Sequence, residues 1–403
     1  MKIGALGASI TSLLAILVFL SGKAYFSIMP LFIFLPLSAT LTMFAAYSHP
    51  TPPKDLLTIL ILLGLGLCFM MIPGMAGLLS IGGVFVVLIF LLLRQKSQSR
   101  FSVLWGIGLY GFALAAMLIS LIFSPPTASI LLLLAYAILL PICPLHGASI
   151  VSFSRLGGIF PNFLALFLPA LGLKGVLGIL PDLPPGLMNI VSIFSLIGAV
   201  YGGFRALVQN NICHRLSYAG LTFWSILWWY LANTGMETAP AILYFCALAL
   251  IMQGLFISGY CLEKRQGNLN LDQLGGLARL MPRFGVLLSL LVAAGMGLPL
   301  LGSFSALISV ATSPEIILSR GFVIVLLAWL LASWYFPVFM QHILLGPPKP
   351  DRIYPDLVTS EKLSLTLIVA MIVILGIAPY AFFGSGAFPA RDLPVQEVQS
   401  RLK

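Results

Sequence analysis

Charged residues are scarce in this chain of 403 residues. Only 8% are Asp, Glu, Lys or Arg, whereas 60% are hydrophobic and the mean hydropathy is +1.09. Soluble domains carry roughly a quarter charged residues, so this composition excludes a soluble globular protein. Apolar runs of about 20 residues, the length at which a helix crosses the hydrocarbon core of a bilayer, recur along the chain. The sequence therefore predicts an all-α, polytopic membrane protein that lies in the lipid bilayer.

The motifs of soluble enzyme chemistry are also missing. The sequence contains no phosphate-binding GxxxxGK[ST], no HExxH and no His/Cys cluster with metal-ligand spacing. Its five cysteines are scattered and form no CxxC, which is typical of small core residues. We therefore predict no metal, flavin, haem, iron–sulfur cluster or nucleotide. The net charge of +10 contains no dense Lys/Arg run, so no nucleic-acid partner is predicted.

Thirteen apolar segments are predicted to span the membrane as one domain over residues 1–403. They lie near residues 3–21, 27–47, 56–72, 77–93, 101–123, 128–146, 158–180, 187–208, 217–234, 239–261, 284–313, 321–345 and 363–385. The first segment follows Lys2 and has the outline of a signal peptide, but in a protein made of spans we interpret it as the first span.

Positive charge is unevenly distributed between the loops. If segment 284–313 crosses the membrane once, most basic residues fall on one side and few charges on the other. By the positive-inside rule, the N-terminus is then cytoplasmic and the C-terminus lies outside. Two crossings would move the basic loop of Lys349, Arg352 and Lys362 to the wrong side, so one interrupted span is predicted.

Two segments contain residues that interrupt a helix. Segment 284–313 carries Gly297, Pro299 and Gly302, and segment 128–146 carries Pro141 and Pro144. Backbone groups freed at membrane depth need protein or water as partners, and such breaks are typical of ion or substrate sites. A simple kink near the end of the helix is the structural alternative for each break.

Two titratable residues stand out in these apolar surroundings. Lys174 lies deep within segment 158–180, where insertion of a lysine costs at least about 2.5–3.5 kcal/mol, so such a residue normally faces a cavity or a partner. His146 follows Pro144, and imidazole can relay protons near neutral pH. Both are predicted members of a proton path. The alternatives are a lysine bonded to carbonyl groups at a helix break and a histidine bonded at an interface.

Acidic partners for Lys174 are missing from the first six segments. The sequence has no Asp or Glu between Asp55 and Asp182. The first half of the chain therefore brings no carboxylate into the membrane to pair with this lysine.

Several motifs occur in series in this chain. They are Pro144-Leu145-His146, Leu173-Lys174 and residues 205–218, 272–282, 297–304 and 341–347. They resemble the PLH turn, the LLK helix and the RALxQxDxKRLLAYS, DxxGGLxRxMP, GLPxxxGF and QRxxFGP patterns of one family, the antiporter-like subunits of respiratory complex I, Mrp cation/proton antiporters and membrane-bound hydrogenases. The resemblance covers roughly residues 140–350.

This resemblance implies a fold of fourteen helices with two inverted repeats and two broken helices. The first repeat is then expected near residues 50–180 and the second near 187–313, followed by C-terminal helices at 321–385. Thirteen spans fit the loss of the first helix of the family.

Several positions depart from the charged pattern of the family, although Lys174 and His146 keep it. No carboxylate in the first half of this chain matches the paired glutamate of the family. Asn211 and Cys213 replace the Asp and Lys of QxDxKR. The interior Lys of the first broken helix falls on Leu140, the charged residue after the second break near Leu307, and two histidines near Phe153 and Ala247.

The resemblance implies a membrane-arm subunit of a complex I-like, hydrogenase-like or Mrp-like assembly in the cytoplasmic membrane of a prokaryote. Such a subunit carries no cofactor and contributes to proton or cation translocation, here with a reduced set of charged residues. Any redox chemistry of an NADH- or ferredoxin:quinone oxidoreductase or a hydrogenase would belong to partner subunits. A degenerate, non-conducting scaffold subunit and a secondary transporter of cations, protons or inorganic carbon are the two alternatives.

Overall fold

The computed structural model describes residues 29–95, 100–236, 238–267, 269–317, 319, 321–346 and 355–379. The predicted segment 3–21 and the end of the last segment, 380–385, lie outside the described residues. Within them the chain is helical, apart from an isolated antiparallel bridge between Asn211 and Asn270.

The helices follow the predicted apolar segments in chain order. They are α1 (Met29–Ala46), α2 (Pro53–Met71), α3 (Met75–Leu93), α4 (Arg100–Ser120), α5 (Thr127–Leu139), α6 (Gly147–Arg155), α7 (Phe160–Ile179), α8 (Pro185–Val208), α9 (Ile212–Thr234), α10 (Ala239–Gln266), α11 (Leu277–Leu280), α12 (Pro282–Met296), α13 (Gly302–Ala311), α14 (Pro314–Ile317), α15 (Phe322–Leu344) and α16 (Thr359–Ile377). Single turns of 3-10 helix occupy Leu180–Asp182 and Leu271–Gln273.

Eight helices of the described part are long and apolar enough to cross a bilayer on their own, namely α2, α3, α4, α7, α8, α10, α15 and α16. The stretch Leu31–Ala46 of α1 and the helices α5, α12 and α13 are shorter and apolar. The prediction of an all-helical membrane protein is confirmed. The count of thirteen spans stays a prediction, because residues 3–21 are not described and the shorter helices do not reach that length.

Helix α10 is the centre of the bundle. Every residue from Pro240 to Leu262 is buried, and the helix packs against α1, α7, α9, α12, α13 and α16. Its 28 residues correspond to a length of about 42 Å. By contrast, large apolar side chains such as Leu57, Phe101 and Ile193 are exposed on the outer helices. Such a surface suits contact with lipid or with another membrane helix.

Candidate functional site

The first helix break lies between α5 and α6. Pro141 and Pro144 lie in the non-helical residues 140–146, where proline has no N–H group with which to continue the helical ladder. The carbonyl of Leu140 would lose its partner there, but the indole Nε1 of Trp228 on α9 donates a hydrogen bond to it at 2.9 Å. The protein itself therefore satisfies the freed carbonyl at this break.

The second break separates α12 from α13 and is built in a related way. Gly297 follows the last residue of α12 in the left-handed conformation with φ 81°, which suits glycine, and Pro299 comes two residues later. Gly302 is the first residue of α13. The indole Nε1 of Trp329 on α15 donates to the carbonyl of Met296 at 3.0 Å. Each break thus has a tryptophan donor on a neighbouring helix.

Lys174 lies on α7 beside the first break. Two glycines bring its helix close to that break. A Cβ atom at Gly172 would lie 2.5 Å from the backbone nitrogen of Leu140, and a Cβ atom at Gly175 would lie 2.5 Å from the ring of Tyr136. The backbone around Lys174 is therefore held directly against the end of α5.

Lys174 lies slightly beyond the middle of α7. The residue is half-buried and lies five residues before Ile179, the last residue of that helix. The apolar span that contains α7 continues to Asp182, which places Lys174 closer to the middle of the span than to its end. The expected depth of Lys174 in the membrane stays a prediction.

His146 lies at the opposite end of the first break, immediately before α6. Its ring centroid is 5.5 Å from that of Tyr201 on α8 and 6.3 Å from that of Tyr218 on α9. Its Nδ1 is buried and has no hydrogen-bond partner among the described residues. Arg205 completes this cluster, because its Nη2 donates to the Tyr218 hydroxyl at 3.4 Å and its guanidinium lies 5.2 Å from the centroid of the Tyr218 ring. Arg205 and Tyr218 lie in one sequence motif, but the sequence did not predict that they meet His146.

Gln253 is a buried polar residue that the sequence analysis missed. It lies at the midpoint of α10 and is 0% exposed. Its Nε2 donates to the carbonyl of Ser38 at 2.9 Å, to the hydroxyl of Ser38 at 3.0 Å and to the hydroxyl of Thr42 at 3.4 Å. A signal was present in the sequence, since Gln253 is the sole side-chain amide in the apolar run 239–262.

A buried ion pair joins α10 to α16 on the predicted cytoplasmic side. Arg265 donates to both carboxylate oxygens of Glu361, at 2.9 and 2.6 Å, and the Nε2 of His49 lies 2.7 Å from Glu361 Oε1. Glu361 is 0% exposed. His49 and Glu361 are 312 residues apart in the chain, so no local pattern could have revealed this contact.

The positions at which the resemblance leads one to expect charge are occupied by apolar side chains. Leu140 and Ala247 are completely buried, and Phe153 is 5% exposed. Leu307 is half-buried on α13. In the part of the chain that the structure describes, no group of three or more His, Cys, Asp or Glu side chains is placed to hold a metal ion.

These features define a polytopic helical membrane protein with two interrupted helices. Residues 69–333 match the family described as NADH:quinone oxidoreductase/Mrp antiporter, transmembrane. The match covers about two thirds of the chain, and the chain belongs to this family. The resemblance predicted from the motifs is thereby confirmed.

Known relatives and solved structures agree with this assignment. NAD(P)H-quinone oxidoreductase chain 4 of Microcystis aeruginosa is 26% identical over 266 residues, which cover 62% of this chain and 50% of that protein. The chain thus spans about half the length of the cyanobacterial relatives that it matches.

Two solved structures have the same fold. A chain of respiratory complex I from Thermus thermophilus has a TM-score of 0.76 and 19% identity, with 96% of this chain and 92% of that chain covered. A chain of the Mrp complex from a Dietzia species has a TM-score of 0.79 and 14% identity, with 100% and 95% covered. The antiporter-like fold therefore extends well beyond the region of sequence similarity.

Proposed function

We propose that this chain is a membrane-arm subunit of a heteromeric complex I-like, hydrogenase-like or Mrp-like assembly. Its family and its fold support this proposal, since the solved structures that share the fold are complexes of several membrane subunits. The proposed location is the cytoplasmic membrane of a prokaryote, with a cytoplasmic N-terminus, thirteen spans and the two inverted repeats of the family. Its partners are the neighbouring membrane subunits and the lipid bilayer.

In this proposal the chain contributes to proton or cation translocation, with Lys174 and His146 on the path. The observation that carries it is the position of Lys174, which Gly172 and Gly175 hold against the first helix break. A charged side chain at such a place is typical of ion and proton routes. His146 lies at the other end of the same break, so residues 140–146 run from the contact of Leu140 with α7 to His146.

The chemistry expected of these residues is the movement of protons, with no covalent step. The ammonium group of Lys174 can release and regain a proton, and His146 can pass one between its two ring nitrogens. Breaks in the helices leave backbone groups that hydrogen-bond side chains or water along such a route. Redox chemistry would belong to other subunits of the assembly.

The proposed role is tested by replacing Lys174 in the assembled complex. Lys174→Met is expected to abolish most of the proton uptake into proteoliposomes, whereas Lys174→Arg, which keeps the charge but does not titrate, is expected to conduct poorly. Lys54→Met removes an exposed lysine and serves as the control. Normal proton uptake by a fully assembled Lys174→Met complex would contradict the proposal.

One observation favours a second candidate function, that of a non-conducting scaffold. Apolar side chains fill the buried positions Leu140, Ala247 and Phe153, where the resemblance leads one to expect charged or titratable groups. A scaffold subunit would tolerate Lys174→Met without loss of pumping. It would, however, lose assembly when buried polar contacts between its helices are removed.

A further inference from the structure

One atom of the Gln253 amide, at the centre of the bundle, has no hydrogen-bond partner among the described residues. Its Nε2 contacts the carbonyl oxygen of Ser38, which can only accept a hydrogen bond, so the amide nitrogen must face Ser38. The orientation of the amide is thereby fixed. The remaining atom, Oε1, is buried and accepts no hydrogen bond from any described residue.

A second amide atom without a described partner lies one residue along α7 from this contact. The Ser38 hydroxyl on α1 donates to the carbonyl of Phe163 on α7 at 3.2 Å. The preceding residue, Asn162, is 1% exposed, and its Nδ2 is buried without an acceptor in the described part of the chain. Among the described residues, Gln253 thus has an unused acceptor at the contact of α1, α7 and α10, and Asn162 has an unused donor one residue away from that contact along α7.

The position of Gln253 makes it hard for bulk solvent to satisfy this acceptor. Gln253 is at the midpoint of a helix about 42 Å long, so either end of α10 is about 20 Å away along the axis. Neighbouring helices cover α10 on all sides from Pro240 to Leu262. A buried polar atom without a partner is costly, and internal water molecules are the usual partners of such atoms.

We propose that Gln253 Oε1 binds an internal water molecule at the middle of the bundle, and that this water belongs to the proton path. Water can donate to the carbonyl oxygen of Gln253 and can accept from an amide such as that of Asn162. A bound cation is less suited, because the NH2 group of Asn162 would face it with positive hydrogens. The path role rests on the proposed function of proton translocation, whereas the water site itself does not.

A water molecule bound to Gln253 would hydrate a part of the bundle where charged groups are missing. Ala247, which falls near a histidine position of the family, lies on the same helix and is completely buried. A neutral amide with a bound water can relay a proton without a charged side chain in the bilayer. Gln253 would then act as a positioning residue that holds the water and does not itself titrate.

The first test is a cryo-electron microscopy map of the assembled complex at a resolution that shows ordered water. Density is expected within hydrogen-bonding distance of Gln253 Oε1, at about 2.5–3.0 Å. A map without density at this distance from Gln253 Oε1 would overturn the proposed water site. Density that follows the sodium concentration would also overturn it, because the ligand would then be a cation.

The second test compares two variants of α10. Gln253→Leu is expected to lose the water density. It is also expected to lose the radiolytic hydroxyl labelling of Met252. This neighbouring residue is only 2% exposed, so bound water is needed to label it. Ser258→Ala is the matched control, because Ser258 is also buried on α10 but donates to Gly254 within its own helix at 2.9 Å. Labelling of Met252 that persists in Gln253→Leu would overturn the water site. If Gln253→Leu does not assemble, the cryo-electron microscopy map of the wild-type complex alone tests the water site.

Proton uptake separates this inference from the proposed function. Gln253→Leu is expected to lower uptake strongly with Lys174 intact, whereas Ser258→Ala is expected to leave it unchanged. Loss of the water without any change in uptake would overturn the path role. Normal uptake in Lys174→Met would instead defeat the proposed function and leave the water site standing.

Discussion

Arg265 and Glu361 form a bidentate ion pair between α10 and α16, with nitrogen–oxygen distances of 2.9 and 2.6 Å. The carboxylate also accepts a hydrogen bond from the backbone N–H of Val358 at 2.9 Å and lies against His49. A buried carboxylate is stable only when its oxygens are paired in this way. The pair therefore fixes the start of α16 to the end of α10.

Glu361→Gln is expected to lower the free energy of unfolding by about 3 kcal/mol, because removing one partner leaves the Arg265 charge buried and uncompensated. Thermal unfolding in detergent micelles measures the change. Glu263→Gln is the control, since Glu263 is half-buried on the same helix and forms no ion pair with any described residue. Equal destabilisation by both variants would show that the pair has no special role.

Gly172→Ala is expected to destabilise the chain by about 1–3 kcal/mol, because the added methyl group overpacks the contact with Leu140. Its Cβ would lie 2.5 Å from the Leu140 nitrogen, and a backbone atom cannot turn aside as a side chain can. Gly178→Ala on the same helix has nothing within 4 Å of the added atom and is expected to be neutral or slightly stabilising. The measurement is the unfolding temperature of each variant. Similar values for both would argue against a tight contact between α7 and the break.

Trp228→Phe is expected to cost about 1–3 kcal/mol more than Trp229→Phe, because only the first leaves a buried carbonyl without its donor. Trp228 and Trp229 are each 1% exposed, so both variants remove a similar volume. The indole of Trp228 bonds to Leu140, whereas that of Trp229 has no hydrogen-bond partner among the described residues. Denaturant titration of the two variants gives the difference. A zero difference would mean that another group satisfies Leu140 at the first break.

The helical architecture could be predicted from the sequence because the length and composition of each apolar run are enough to indicate a helix in the membrane. Proline and glycine have the same backbone preferences wherever they occur in a chain. Pro141 and Gly297 therefore predicted non-helical residues, and the structure has such residues between its helices at both positions. These are local properties. They require no knowledge of which helices are neighbours.

The arrangement of the site could not be predicted in the same way, because it depends on contacts between distant residues. Arg205 reaches Tyr218 within one motif, but the contact of Gln253 with Ser38 spans 215 residues. The motif pattern identified the family, but it did not identify the polar contacts that are particular to this chain.

The complete burial of α10 has a consequence for how the helix is held in position. Lipid tails are as apolar as its side chains, so moving the helix from lipid into the bundle gains little hydrophobic free energy. Apolar packing alone would not fix the position of this helix along its axis. Gln253 at its middle bonds to α1 and Arg265 at its end bonds to α16, so these two residues set the position of α10 along its axis relative to those two helices.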